Sequence, residues 1–222
     1  MYEERWRDFT YTPPAQEVRI LYADEDLVAV SKPHGLLSVA GKPEDHWDCA
    51  EYRIRKTYPQ ARIVHRLDMS TSGILLLALN PRAVRGLGAQ FEGRRVEKTY
   101  IARVWGNVTE ESGEIDLPLI CDWPNRPLQK VDFDIGKPSK TLWQVLAHEG
   151  GVTRLALKPV TGRSHQLRVH LMSIGHPILG DEFYAPDDAF AAADRLQLHA
   201  QEICFDHPED GRLVTISDDV PF

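Results

Sequence analysis

The stretch His65-Arg66-Leu67-Asp68-Met69-Ser70-Thr71-Ser72-Gly73, followed at once by Ile74-Leu75-Leu76-Leu77-Ala78-Leu79, decides how this chain is read. The apolar run predicts a buried strand. The polar turn that feeds it holds one acid, Asp68, two residues past Arg66. A carboxylate held rigidly beside a cation at the rim of a core is suited to act as a nucleophile or base. A lone Asp before a strand is more commonly a turn former, its oxygens taken by backbone N–H groups. Against that plainer reading stand His65 and Arg66 before it and Ser70, Thr71 and Ser72 after it, a denser polar cluster than a turn needs. Gly73 permits another backbone to approach closely.

Upstream, Ile20, Tyr22, Leu27, Val28 and Val30 alternate loosely around Asp24-Glu25-Asp26 and predict a hairpin over 19–31 that Lys32-Pro33 ends. A helix is expected over 47–58 with Asp48 as its cap and Pro59 as its stop, and another from Asn80-Pro81 to about Gly93. Downstream, 95–105 alternates with a period near two, which puts Tyr100 on one face of a strand. The segment 121–130 is punctuated by prolines and reads as a loop that is neither helix nor strand. Strands are expected at 140–147, 152–159, 196–205 and 212–217. A helix is expected from Ser164 to Ile174 with Leu167, Leu171 and Ile174 on one face, stopped by Gly175. Strands dominate without regular β-α alternation, so the expected fold is α+β, a mixed, largely antiparallel sheet with flanking helices and loops. No repeat or long linker divides the chain, and the expectation is a single domain over 1–222 with its core at about 20–205.

The chain is 42% apolar and 27% charged, ordinary for a soluble globular protein, and no apolar run approaches the ~20 residues needed to span a bilayer. The polar, acidic start at 1–6 does not resemble a secretory or transit leader. Three widely spaced cysteines, Cys49, Cys121 and Cys204, argue for reduced thiols, a cytoplasmic location and neither a disulfide framework nor a zinc site. The net charge of −7 is unevenly spread: residues 51–180 hold 19 Lys and Arg against 12 Asp and Glu, while both flanks are acidic. A basic middle is compatible with a polyanion bound on one face, and equally with charges that only solvate helix surfaces.

Two further constellations carry chemistry. Tyr100 lies between Glu97-Lys98 and Arg103, where it is either a half-buried strand tyrosine or a platform on which a base stacks. The segment Gly162-Arg163-Ser164-His165-Gln166-Leu167-Arg168-Val169-His170 runs from a turn into a helix and puts Arg163 at the anion-favouring helix start. Arg168, one turn on, offers a guanidinium suited to pairing with a carboxylate, unless the segment is simply a basic amphipathic surface helix. His165 and His170 are five apart, the wrong spacing for a helical zinc pair, and no metal is expected.

Taken in order and spacing, the His65–Gly73, Glu97–Tyr100 and Gly162–His170 segments, with Lys32-Pro33-x-Gly35-Leu36 and Gly175–Asp181, resemble the RluA family of RNA pseudouridine synthases over roughly residues 20–205. The likeness implies the pseudouridine synthase catalytic fold, without the N-terminal RNA-binding domain of the S4 type that many relatives carry. It implies a base-flipping isomerase of specific uridines in stem-loops of 23S ribosomal RNA and of transfer RNA (the anticodon stem-loop), working without a cofactor, a membrane or a required protein partner, as a monomer. It makes Asp68 the essential carboxylate and Arg66 the residue that fills the space of the flipped nucleotide or holds its phosphate. Tyr100 then packs against the base, Arg168 pairs with the catalytic acid and keeps it ionised, and Leu167 walls the uracil pocket. His65, Thr71 and Arg163 join the substrate-binding set, and Arg126, with Trp123 beside it, is expected to clamp RNA from the proline-rich loop. Two rivals remain at this point. A hydrolase would need a second acid, for which Glu97 or Asp181 is available, and would release free uracil. An RNA-binding or RNA-folding protein without catalysis would not need Asp68, Tyr100 and Arg168 together.

Overall fold

The computed structural model describes residues 10–222, and the acidic start at 1–6 lies outside the described residues. In chain order, strands β1 (Arg19–Ala23) and β2 (Leu27–Lys32) precede helix α1 (Ala50–Arg55), strands β3 (Arg62–Ile63) and β4 (Ser72–Ala78), and helix α2 (Pro81–Glu92). Strands β5 (Glu97–Trp105), β6 (Ser112–Asp116), β7 (Leu119–Cys121), β8 (Gln129–Val131), β9 (Lys140–His148) and β10 (Val152–Pro159) follow. Helices α3 (Gln166–Ser173) and α4 (Asp187–Ala191) lead to β11 (Leu198–Asp206) and β12 (Leu213–Ser217). Strands outnumber helices and pair mostly antiparallel, as the α+β reading expects. Within the stretch read as one domain, contacts mark out two compact units: Thr10–Lys98 with His199–Pro221, and Thr99–Leu198 with Phe222.

In the first unit, β4 is the spine. All seven of its residues are buried, which is why its sequence is a continuous apolar run rather than an alternation. β2 lines one edge antiparallel, from Leu27 opposite Ala78 to Lys32 opposite Gly73. The other edge is shared: β3 pairs antiparallel near its end, and β11 pairs parallel at its start, His199 opposite Ser72 and Ala200 opposite Gly73. Helix α2 begins as expected, with the Asn80 side chain accepting from the Ala83 N–H and Pro81 at the first helical position. Its Ala83 and Leu87 close the core over Leu27, Ile74, Leu76, Ile203 and Phe205. In the second unit, β10 pairs antiparallel with β5 and β9, and β9 with β6. Leu155 and Leu157 of β10 meet Leu167 and Leu171 of α3 in its core.

Four local expectations are corrected. Helix α1 is shorter than 47–58 and is capped by the Cys49 sulfur, which accepts from the Tyr52 N–H. Asp48 does not cap it because both of its oxygens are taken by the Arg53 guanidinium, at 2.7 Å each. The 121–130 loop is the tip of a small hairpin, β7 against β8, pulled together by an Asp122 N–H to Leu128 carbonyl bond of 2.9 Å. Helix α3 is no amphipathic surface helix: Gln166 through Leu171 are all buried, while Ile174, expected on its apolar face, is 37% exposed. Strand β6 and helix α4, absent from the sequence reading, complete the list of elements.

Candidate active site

The turn that carries Asp68 is held through every carbonyl from Leu67 to Ser70. The Ser38 hydroxyl donates to the Leu67 carbonyl at 2.7 Å and accepts the Leu67 N–H. The Thr71 N–H closes onto the Asp68 carbonyl at 3.1 Å. The Met69 carbonyl receives two donors, the Gly35 N–H and the Lys32 ammonium, each at 2.9 Å. His34 Nδ1 donates to the Ser70 carbonyl. Lys32 has no exposed surface and also donates to the carbonyls of Pro33 and Leu36, so one ammonium staples the two loops together. With its backbone fixed on both sides, the half-buried Asp68 side chain leaves a rigid turn, the preorganisation a reacting carboxylate needs. Lys32, His34 and Ser38 were missed by sequence reasoning. The available signal was a lysine closing the otherwise apolar Leu27–Val30 run.

The flanking residues divide by exposure. Arg66 is exposed and Thr71 is 2% exposed. Thr71 therefore serves the turn through its N–H. His65 stacks on Phe91 with ring centroids 4.6 Å apart, and its Nε2 accepts the Leu76 N–H at 3.0 Å. Burial, with a further push from the Lys98 charge, brings His65 down to about 3, so the ring is neutral. His65 is thus a latch on β4, orienting the turn from behind. Gly73, at φ +111°, cannot be replaced: a Cβ there would lie 2.3 Å from the Ala200 carbonyl oxygen across the parallel pairing. Beside it Ser72 bonds His199 Nδ1 at 2.9 Å, and His199 Nε2 lies 3.4 Å from buried Asp218. Burial pushes the Asp218 carboxyl up, but hydrogen bonds from His199 and Ser31 and the Arg19 charge outweigh it and hold the carboxyl below its usual range.

The second unit carries the other candidates. Tyr100 stands half-buried on β5 opposite Leu157 and packs on the cluster that includes Leu167, itself 7% exposed. Arg168 is 1% exposed; its Nε donates to Asp181 at 2.8 Å, its Nη2 to the other Asp181 oxygen, and its guanidinium lies over the rings of Phe183 and Tyr184. Asp181 has no exposed surface and also accepts the N–H groups of Phe183 and Tyr184, so it is not placed to serve as the second acid of a hydrolase. The start of α3 is locked by a directed chain. Thr161 donates to Gln166 Oε1; Gln166 Nε2 donates to Lys140 O and Thr141 Oγ1; Thr141 donates to His170 Nδ1; and His170 Nε2 donates to Leu117 O. Burial lowers His170, in keeping with a neutral ring whose two nitrogens play opposite roles. Arg163 is half-buried at the preceding turn, with its N–H on Gln166 Oε1 and its buried Nε unbonded.

Arg126 stands on the β7–β8 turn with its guanidinium 4.6 Å from the centre of the Trp123 ring. Trp123 is 65% exposed, so it does not anchor the loop to the core. The hairpin is tied to the start of α3 all the same: the Gln129 N–H donates to the Tyr184 hydroxyl, which is hydrogen-bonded to His165 Nδ1. Among the described residues, one group of side chains has metal-like spacing, Asp24, Asp26 and His207. Its oxygens are engaged by protein donors: Asp24 by the Asp26 and Leu27 N–H groups, Tyr22 and His207, and Asp26 by Asn80 and Arg82. These bonds make it the lock of the β1–β2 turn. Burial alone would raise the Asp24 carboxyl, but those donors bring it down to about 2.

Comparison with known proteins adds four findings. A family model described as RNA pseudouridylate synthase matches residues 26–173. The chain is 53% identical over 212 residues to the dual-specificity RNA pseudouridine synthase RluA of Vibrio parahaemolyticus, covering 93% of this chain and 85% of that one. It is 52% identical over 207 residues to the protein of the same name from Escherichia coli, covering 92% and 94%. Among solved structures, human RNA pseudouridylate synthase domain containing 1 superposes with a TM-score of 0.79 at 31% identity, covering 95% of this chain and 87% of that one.

Proposed function

The chain belongs to the RNA pseudouridylate synthase family and is an RNA uridine isomerase; from that premise we propose that its substrates are stem-loops of both 23S ribosomal RNA and transfer RNA, with Asp68 as the essential carboxylate. The reaction breaks the bond from ribose C1′ to uracil N1 and forms one from C1′ to C5; C5 gives up its proton and N1 gains one, so no cofactor is consumed. Whichever atom the carboxylate engages, it must be ionised and within about 3 Å of it. The observation that carries the reading is the turn around Asp68, whose four successive carbonyls are each bonded while Arg66 beside it stays exposed. The dual substrate range rests on relatives that bear that description over nearly their whole length.

The other roles follow from residue type and setting. A uridine in folded RNA must leave its stack before it reacts, and exposed Arg66 is suited to fill the gap or hold the flipped nucleotide's phosphate. Tyr100 offers a ring for the base, and Leu167 an apolar wall. Arg168 supplies a buried guanidinium, oriented by Asp181 and two aromatic rings. Arg163 and Arg126 are assigned to the RNA backbone. His65 and Thr71 keep the turn in shape. The protein acts as a monomer in the cytoplasm without a protein partner.

The test is pseudouridine mapping by chemical derivatisation and primer extension, with wild type and Asp68→Asn each incubated with a transcribed anticodon stem-loop and with large-subunit ribosomal RNA. New stops on both RNAs with wild type alone are the expected result. Stops with Asp68→Asn at the wild-type rate would remove Asp68 from catalysis, and stops on one RNA alone would end the dual assignment.

A further inference from the structure

Lys98, the second residue of β5, has no role among the substrate contacts proposed above. Its side chain is half-buried, and its ammonium lies 5.9 Å from the centre of the Phe91 ring. The same ring carries His65, the neighbour in sequence of Arg66. Among the described residues no carboxylate stands within ion-pair distance of Lys98. Glu97 is exposed, and alternation along the strand turns it away. Close in the sequence, Arg94 and Arg95 are exposed, Arg95 being paired with Asp206, and His65 on the same ring is uncharged. Burial holds the Lys98 ammonium below the usual lysine range. A desolvated cation without a counter-charge costs stability, and a core that needed only the methylene stem would do better with an apolar residue.

We propose that Lys98 is a phosphate anchor, its ammonium kept without a carboxylate in the free protein so that it can donate to a backbone phosphodiester of the substrate RNA beside the target uridine. The proposal rests on the reading of the substrate as an RNA stem-loop. It also gives the neutral His65 a second use. A protonated imidazole against the same ring would compete for the phosphate, whereas the neutral ring leaves the ammonium as its donor. An ammonium suits the role because it meets a phosphate as a compact point charge from a flexible stem.

The experiment compares wild type, Lys98→Met, Lys98→Gln and Lys98→Arg as full chains, with a fluorescently labelled transcribed anticodon stem-loop as the probe. Affinity is measured between about 50 and 200 mM salt, and thermal midpoints are recorded on the same samples. Lys98→Met and Lys98→Gln should each bind about tenfold more weakly at the lower salt. Their plots of log affinity against log salt should be shallower by about 0.7, the slope of one single-strand phosphate contact. Their thermal midpoints should equal or exceed wild type, and Lys98→Arg should keep the wild-type slope. Unchanged affinity and slope in the Met and Gln variants, with wild type binding normally, would overturn the anchor and leave the substrate reading standing. A midpoint lowered by several degrees in both variants would also overturn it, since Lys98 would then be structural. A wild type that does not bind the stem-loop would bring down the substrate reading and the anchor together.

Discussion

The Lys32 ammonium donates to the carbonyl of Met69, the residue that follows Asp68, at 2.9 Å from a position with no exposed surface. The last residue of one strand thereby sets the height of the Asp68 turn above another. Lys32→Met keeps the length of the stem and removes the donor, orphaning the buried carbonyls of Pro33 and Leu36 and leaving Met69 with the Gly35 N–H alone. Orphaned buried acceptors cost about 1–3 kcal/mol each, softened by relaxation, so a loss of about 3 kcal/mol is expected in urea denaturation. Because the turn loosens, single-turnover rate at saturating RNA should fall by about 100-fold while RNA affinity changes little. A variant with wild-type rate would show that the turn holds its shape without the staple.

Gly73→Ala should be among the most damaging single-methyl changes in the chain. The added carbon would meet the Ala200 carbonyl oxygen at 2.3 Å and its nitrogen at 2.6 Å, both backbone atoms that cannot swing aside. With a positive φ besides, the expected cost is about 3 kcal/mol or more. A midpoint in urea within error of wild type would mean that β4 and β11 can separate at little cost.

His65 makes stability depend on pH in a defined window. Its folded value, about 3, lies below the ordinary 6.5, so between these limits the unfolded chain binds a proton that the folded one refuses. Its contribution is complete above pH 6.5 and declines as pH falls towards 3, by at most about 1.4 kcal/mol per pH unit. His65→Gln, which retains an acceptor for the Leu76 N–H, should lose less stability than wild type between pH 6 and pH 4, read by denaturant melts at about half-unit steps. Parallel curves for the two proteins would show that the ring is not held neutral.

At the hairpin tip, Arg126→Ala should raise the dissociation constant for RNA by about tenfold and leave the single-turnover rate at saturation unchanged. Because Arg126 lies over Trp123, the two act as one surface, so Trp123→Ala on top of Arg126→Ala should cost less than it does alone. Filter binding of the three variants checks both statements; a normal affinity for Arg126→Ala rules the clamp out.

What the sequence discloses here is what local rules govern. Asn80-Pro81 announces α2 because a side-chain cap and a fixed φ act within four residues. The β4 run announces a buried strand because nothing else uses six consecutive apolar residues so briefly. The motif residues around Asp68 were legible as a group, yet their division of labour was not. Arg66 is exposed, while His65 and Thr71 serve the backbone, a distinction made by the Phe91 ring and Leu76 N–H for His65 and by the Asp68 carbonyl for Thr71. The Asp48 cap failed because Asp48 had a better partner, the Arg53 guanidinium five residues on. The β7–β8 hairpin stayed hidden because strands of three residues carry too little alternation to be read between prolines. Helix α3 misled by its polar side chains, since Gln166, Arg168 and His170 all find partners inside.

The parallel seat of Ser72 against His199 joins positions 127 apart in the chain. Such a contact cannot form while the later segment is still being synthesised. A nascent chain that has emerged through Tyr100 already contains Asp68 and Arg66, but not the strand on which their turn comes to rest or Asp218 behind it. Closing so long a loop is slow compared with making hairpins such as β9–β10. The Asp68 turn is therefore among the last parts of the molecule to mature, and on the proposed reading activity becomes a property of the finished polypeptide rather than of its growing front.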